Sequence, residues 1–206
     1  MDMDMDPEFV LVGEVGLLVR REVAAGFSTR AEIIKLAVDR FEGEAKESEL
    51  RALAQEMAAS SFYKHYKAQI GWPLVTDCER LDIAFDKLAG KDIVTRHNFE
   101  CDLDDEEYIE DIVDEMDKVI ASGKRARGYA FYHRLDVAVA VEGGGLCISF
   151  GTGSRNESEE GAVRIGNEVA DALRLQGLAV DWSGSWKTRI TVWLDWKRRR
   201  PWSEEE

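Results

Sequence analysis

The spacing of apolar residues changes at Pro73, and this change limits the folds open to the chain more than any other feature. Before Pro73, apolar residues recur three and four positions apart, which is the period of amphipathic helices. After it, short runs rich in β-branched and aromatic residues alternate with helical patterns. We therefore predict an α+β fold, in which N-terminal helices pack with a C-terminal sheet of about five strands flanked by helices.

The predicted domain boundaries follow this change in pattern. Residues 9–71 form a helical region, residues 72–200 an α/β domain and residues 201–206 a tail. We exclude residues 1–8 from the fold, because the repeated Met-Asp and "DPEF" resemble a cloning scar or disordered residues. Ser28 is the predicted cap of the second helix. The predicted buried stripes are Phe9, Val12, Gly16, Val19 and Val23 in the first helix, and Ile33, Ile34, Ala37, Val38 and Phe41 in the second.

Five segments of the α/β domain have strand patterns: "IVTRHNFEC", "GYAFYH", "LCISFG", "LAVDWSG" and "TRITVWLDW", with the last two forming a hairpin. Residues 135–142 fit either a strand or a short buried helix. We favour the helix, because a strand would leave Ala138 and Ala140 as a weak outer face. In both cases Gly143–Gly145 reverse the chain, with at least one positive φ. These glycines precede a strand, whereas a phosphate-binding loop precedes a helix.

The net charge of −14 is concentrated in the middle of the chain, where eleven Asp and Glu residues and no Lys or Arg lie between Glu100 and Asp117. This run opens a predicted helix over residues 103–121. Like charges at i, i+4 cost about 0.2–0.5 kcal/mol per pair, so the acidic face favours a binding surface over a purely solubilising one. The predicted buried residues are Ile109, Ile112, Val113, Met116 and Ile120, and the predicted exposed acidic face is Glu107, Glu110, Asp111 and Asp114.

The acidic field indicates which partners to expect. A phosphate backbone would be repelled, so we expect no nucleic acid. A basic protein would be attracted. The basic "KRRR" near the C-terminus could pair with the acidic face of a second copy and form a homodimer. Trp193 is a further candidate partner-binding residue, because strand alternation separates it from Ile190 and Val192 on the core-facing side.

Candidate catalytic residues are few. His97, His133 and Asp136 could line a pocket near Gly143–Gly145, and His133 with Asp136 could form an acid–base pair. No nucleophile elbow, cofactor motif or diagnostic metal-ligand spacing accompanies them, and the acidic run lacks the glycine of an EF-hand loop. We therefore predict no cofactor and no metal. Cys147 in a strand is expected to be buried packing.

The chain has the features of a cytoplasmic protein. Its three cysteines are scattered, which indicates neither a disulfide framework nor a zinc site. No apolar run approaches the roughly 20 residues that a membrane-spanning helix needs, so we expect no membrane association. No basic region precedes an apolar core at the N-terminus, so we expect no signal peptide.

Four segments carry a resemblance to a known family: "TDCERLDIAFDKLAGKDIVTRHNFEC", "GYAFYHRLDVAVAVEGGGLCISFG", "IGNEVADALRLQGLAVDWSGS" and "LDWKRRR". They resemble an uncharacterised family of bacterial, mainly actinobacterial, proteins of unknown function. The resemblance covers roughly residues 70–200 and implies helices followed by an α/β part, with no assigned activity. Family members have a cysteine-rich stretch after the "NF" strand, whereas this chain has only Cys101 there, so any metal held by those cysteines would be lost.

Two hypotheses of function follow. The first is an acidic, non-catalytic binding or regulatory module, of the inhibitor or immunity type, for a basic protein partner. The second is a small-molecule-binding or metal-binding enzyme with a pocket around His97, His133 and Gly143–Gly145. We favour the first, because it requires fewer unobserved parts.

Overall fold

The structure is a computed structural model that describes residues 7–99, 107–153 and 158–201. These residues contain seven helices and one five-stranded mixed sheet, which confirms the predicted α+β fold. The chain divides into a helical unit, Met1–Leu74 with Lys197–Glu206, and an α/β unit, Val75–Trp196. Residues 197–200 thus belong with the helices, whereas the sequence boundaries placed them in the α/β domain.

The helical unit contains α1 (Pro7–Ala25), α2 (Arg30–Arg40) and α3 (Glu47–Gln69). Thr29, and not Ser28, caps α2, because Glu32 three residues later completes a capping box with it. The hydroxyl of Ser28 donates instead to Glu22. Of the eight residues excluded at the N-terminus, residues 1–6 lie outside the described part, while Pro7 and Glu8 belong to α1.

The predicted buried face of α2 is confirmed, but that of α1 is partly wrong. Phe9 and Val12 are exposed, and Val15 is buried with Val19 and Val23. These three residues are spaced by four, and Leu11, four residues before Val15, is partly buried against the same core. The core of the unit consists of Val15, Val19, Val23, Ile33, Ile34, Ala37, Val38, Phe41, Leu50, Ala54, Ala58 and Phe62.

The α/β unit begins with a well-formed helix. Thr76 and Glu79 make a capping box at its start, which satisfies two main-chain N–H groups that the helix leaves unpaired. Leu81, Ala84, Phe85 and Leu88 form one apolar face of this helix and are all buried. The elements, in chain order, are α4 (Asp77–Ala89), β1 (Ile93–Phe99), α5 (Glu107–Ala121), β2 (Gly128–His133), α6 (Arg134–Val141), β3 (Leu146–Gly151), α7 (Glu159–Leu175), β4 (Ala179–Asp181) and β5 (Ile190–Trp193).

The sheet has the strand order β1-β2-β3-β5-β4. β1 and β2 are parallel and are joined through α5, whereas the other neighbouring pairs are antiparallel. Ile112 and Met116 of α5 pack with Val94, Tyr129 and Phe131 on one face of the sheet. Phe85 of α4 contacts Tyr132, which strand alternation places on the opposite face.

The structure decides between the two alternatives for residues 135–142 and corrects the lengths of the last two strands. Residues 135–142 fall mainly within helix α6, so the helical alternative is confirmed. β4 and β5 are shorter than predicted. The indole Nε1 of Trp182 donates to the carbonyls of Ser185 (3.1 Å) and Thr188 (3.2 Å), so Trp182 closes the turn instead of extending β4.

No helix within the described ranges is both long and apolar enough to cross a membrane.

Candidate functional site

The solvent-facing side of α5 is acidic. Glu110, Asp111 and Asp114 are exposed, as is Asp117 one turn further on. Glu107 begins the helix, but its side chain lies outside the described part of the structure. Among the described residues, no ion pair reaches any of these exposed carboxylates. We call Glu110, Asp111, Asp114 and Asp117 the acidic face of α5.

Two cations of the α/β unit pair with another carboxylate of α5, that of Glu115. Glu115 accepts a hydrogen bond from Arg96 of β1 at 2.7 Å and another from Lys118 at 2.9 Å. These bonds, with that of Arg96 the stronger influence, lower the pKa of Glu115, and the bond to Glu115 raises the pKa of Lys118. Arg96 and Lys118 therefore both pair with Glu115, while Asp111 and Asp114 also act on Lys118 electrostatically.

Trp193 lies at the end of β5 and is 53 % exposed, while Ile190 and Val192 are buried. This arrangement agrees with the alternation expected for the strand. Trp193 is not next to the acidic face, because α5 packs beside β2, and β3 lies between β2 and β5. The two predicted partner-binding features are therefore separate surfaces of the α/β unit.

His97 lies in a polar cluster that the sequence did not predict. Its Nδ1 is 2.7 Å from the hydroxyl oxygen of Tyr132 and 3.7 Å from Oδ1 of Asp82. The ring of His97 stacks on Phe85 with 4.7 Å between centroids. An imidazole held between a phenol and a carboxylate can hold or pass a proton.

The backbone beside His97 is irregular. The pairing of β1 with β2 shifts register between Arg96 and Phe99, and Asn98 has a φ of 47°. Asn98 Oδ1 is buried and has no hydrogen-bond partner in the described part of the chain. A non-glycine residue in the left-handed region costs about 1–3 kcal/mol, and such residues occur often at functional sites.

His133 and Asp136 lie together but in a different arrangement from an acid–base pair. Asp136 accepts from the main-chain N–H of His133 at 2.9 Å, at the start of α6. Its two carboxylate oxygens also accept from Arg189, whose guanidinium donates to the carbonyl of Cys147 as well. Burial lowers the pKa of His133, while Asp136 acts in the opposite direction. Asp136 therefore ties the start of α6 to β3 and β5.

The three parts of the predicted pocket do not converge. The ring of His97 contacts Tyr132, whereas the ring of His133 contacts Phe131, and neighbouring strand residues point to opposite faces of the sheet. Gly143 follows the end of α6 with a φ of 86°, which confirms the predicted chain reversal. Cys147 is half-buried, 3.9 Å from the hydroxyl of Thr191.

The sequence prediction missed Asp82, Tyr132 and Arg189 for one reason. Each forms its contact with a residue distant in sequence, so no local spacing indicates it. Only the mixture of polar and aromatic residues in "TRHNF" and "GYAFYH" marks these strands as unusual for a buried sheet. Across the described ranges, no three His, Cys, Asp or Glu side chains are grouped as metal ligands would be. Cys101 lies outside those ranges.

Comparison with known proteins identifies a family but no activity. No curated protein matches the chain, and no solved structure does. One family model, described as a domain of unknown function (DUF6891), matches residues 11–200. This match includes the helical region as well as the α/β part, and so is longer than the stretch of roughly residues 70–200 covered by the resemblance in sequence. The chain therefore belongs to the DUF6891 family.

Proposed function

We propose that this protein is a non-catalytic binding or regulatory module, of the inhibitor or immunity type, that binds a basic protein through the acidic face of α5. The observation that carries this proposal is a row of solvent-facing carboxylates on α5. Glu110, Asp111 and Asp114 are exposed and form no ion pair among the described residues, although Lys118, which pairs with Glu115, also acts on Asp111 and Asp114 electrostatically.

The fold supports a rigid presentation of this face. Ile112 is fully buried and Met116 nearly so, and both pack on the sheet, which fixes the rotation of α5 about its axis. Glu110 and Asp114 are four residues apart and share one side of the helix. A partner with cations at a matching spacing would relieve the repulsion between these carboxylates and gain charge complementarity.

Our proposed setting is a bacterial cytoplasm with no nucleic-acid or membrane partner. The net charge of −14 supports the exclusion of nucleic acid, because a phosphate backbone would be repelled. The pocket around His97, His133 and Gly143–Gly145 is less favoured. The ring of His97 contacts Tyr132 and that of His133 contacts Phe131, and strand alternation directs these neighbours to opposite faces of the sheet.

The test reverses three charges on α5 and compares this variant with a control that has the same net charge. The triple variant Glu110→Lys, Asp111→Lys, Asp114→Lys should fold, because exposed charges contribute little to stability. Its affinity for a basic partner captured by the unmodified protein should fall by at least about tenfold, or 1.4 kcal/mol. Capture by the unmodified protein should also weaken at high salt.

The control triple is Glu14→Lys, Glu44→Lys, Glu56→Lys, which changes three exposed acids of the helical unit. It alters the net charge equally, so it should retain the partner if binding depends on α5. Retention of every partner by the α5 variant would show that the acidic face only increases solubility. Equal loss in both variants would show that net charge, and not α5, determines capture.

A metal titration tests the competing hypothesis of a metal-binding enzyme. We expect the melting temperature to stay unchanged when Zn²⁺, Mn²⁺ or Mg²⁺ is added. A rise that is lost in the His97→Ala variant would contradict the proposal, because a ligand that binds only the folded state stabilises it by mass action.

A further inference from the structure

The C-terminus of α1 is completed by a residue from the other end of the chain. The last carbonyls of a helix lack partners within the helix, and α1 has no basic residue in its last turn. Arg200 supplies both a cation at this helix end and hydrogen-bond donors for its carbonyls. Its Nε donates to the carbonyl of Val23 at 2.9 Å, and its Nη2 to that of Glu22 at 3.2 Å. Arg200 is only 6 % exposed, so its guanidinium is a buried anchor.

Helix α3 binds the main chain around Arg200. Gln69 accepts from the Arg200 N–H at 2.5 Å and donates to the Arg200 carbonyl at 3.2 Å. The Tyr66 hydroxyl donates to the Pro201 carbonyl at 3.0 Å, and His65 Nε2 donates to that of Arg198 at 3.1 Å. These three side chains lie along one side of α3, and their bonds would form with any extended peptide, since they involve only its main chain.

The arginine side chains provide the specificity. The Arg198 guanidinium lies over the Phe27 ring at 4.5 Å, and that of Arg200 over the Phe62 ring at 4.8 Å. Arg199, between them, donates to the carbonyl of Pro73. A planar guanidinium can stack on an aromatic ring and donate several hydrogen bonds at once, which lysine cannot do. Residues 197–201 are neither helix nor strand, so this segment is bound as a peptide would be.

We propose that the surface formed by Val23, Phe27, Phe62, His65, Tyr66 and Gln69 is a binding site for extended peptides containing Arg-x-Arg, and that residues 197–201 fill it in cis. We call this surface the arginine groove. A basic segment of another protein would enter by displacing residues 197–201, so the C-terminal segment is an autoinhibitory occupant. The groove belongs to the helical unit and does not depend on the acidic face of α5.

This arrangement also bears on the predicted pairing of "KRRR" with a second copy. Arg198, Arg199 and Arg200 all make contacts within their own helical unit, which disfavours that homodimer.

The cis segment should compete strongly, because tethering gives it an effective concentration of roughly millimolar. The test therefore weakens its anchors in the full chain, with the double variant Arg198→Ala, Arg200→Ala. The probe is a fluorescent peptide of residues 196–201, WKRRRP, and its control is WKARAP. In fluorescence anisotropy, the double variant should bind WKRRRP at least about tenfold more tightly than the unmodified chain does, and WKARAP at least tenfold more weakly than WKRRRP.

A folded double variant that binds both peptides equally, or neither, would overturn the inference. Fold is checked by circular dichroism. If the double variant does not fold, hydrogen exchange of the Arg200 amide in the unmodified chain replaces the anisotropy. That amide is bonded to Gln69, so unlabelled WKRRRP at about 10 mM, above the effective concentration of the segment, should accelerate its exchange and WKARAP should not. An unchanged rate would overturn the inference.

The α5 charge-reversal variant separates this inference from the proposed function. We combine it with Arg198→Ala and Arg200→Ala and measure the affinity for WKRRRP again. An unchanged affinity supports the groove, whatever the outcome for the acidic face. A loss of binding would place the peptide on α5 and overturn the groove, while supporting the acidic face as a surface for basic partners.

Discussion

The side chain of Arg198 lies directly over Gly26, where a β-carbon would be 2.7 Å from the Arg198 Cγ. Gly26 ends α1 with a φ of 85°, so both its backbone and its lack of a side chain are needed. We predict that Gly26→Ala costs more than the roughly 1 kcal/mol typical of alanine at a positive φ, because it also displaces Arg198. Urea unfolding gives the change in free energy.

Gly43 supplies the matched control. Its φ is 88°, and a β-carbon there would meet no atom within 4 Å. Gly43→Ala should therefore show the backbone strain alone. Equal losses in the two variants would mean that the contact between Arg198 and Gly26 contributes nothing to stability.

The reversal after α6 gives a second prediction about glycine. Gly143 has a positive φ with open space around it, so Gly143→Ala should cost about 1 kcal/mol or more from backbone strain. Gly13, in the middle of α1, also has open space but no positive φ. Gly13→Ala should instead stabilise by about 0.5–1 kcal/mol, because alanine loses less entropy in a helix. Changes of the same sign in the two variants would contradict this account.

The packing of α5 can be tested by two isoleucines. Ile112 is fully buried between Val94, Met116 and Phe131, whereas Ile120, which the sequence predicted to be buried, is 50 % exposed. Ile112→Ala should cost about 2–5 kcal/mol, as buried truncations do, and Ile120→Ala about 1 kcal/mol or less. Comparable losses would show that the orientation of α5 is not the one described.

Local patterns in the sequence account for most of the fold. "TDCERL" contains the whole capping box of α4, and Leu81, Phe85 and Leu88 repeat at the spacing that buries one face of that helix. Ile120 was wrongly predicted to be buried. Its spacing places it near the edge of the apolar stripe, where burial depends on how far the sheet extends beneath the helix. Ile109 was also predicted to be buried, but its side chain lies outside the described part of the structure.

The candidate sites were less predictable than the fold, because their contacts join distant parts of the chain. The hydroxyl of Tyr132 meets His97 across neighbouring strands, and Arg200 meets Val23 although 177 residues separate them. In neither pair does the sequence around one residue indicate its contact with the other. The acidic face of α5 is different, because Glu110, Asp111 and Asp114 lie within one helix and its 3.6-residue period places them together.

The last prediction concerns pH. Burial is the largest of the influences that lower the pKa of His65 below its ordinary value of 6.5, and Arg200 acts in the same direction. The unfolded chain therefore binds more protons than the folded one as the pH falls from about 7 to about 5. His65 contributes stability above pH 6.5 that is lost as the pH falls toward its folded pKa, and His133 acts with the same sign.

The carboxylates with lowered pKa values do not obscure this window. Glu32, Glu115 and Glu168 are stabilising above their ordinary pKa of 4.5 and lose that contribution only at lower pH. The free energy of unfolding, measured in urea between about pH 5 and 7, should therefore decrease with falling pH. His65→Gln retains a donor for the Arg198 carbonyl without a titrating ring, so its slope should be smaller, and that of His65→Gln combined with His133→Gln smaller still. A single variant with the slope of the unmodified protein would show that His65 is not buried against residues 197–201 as described.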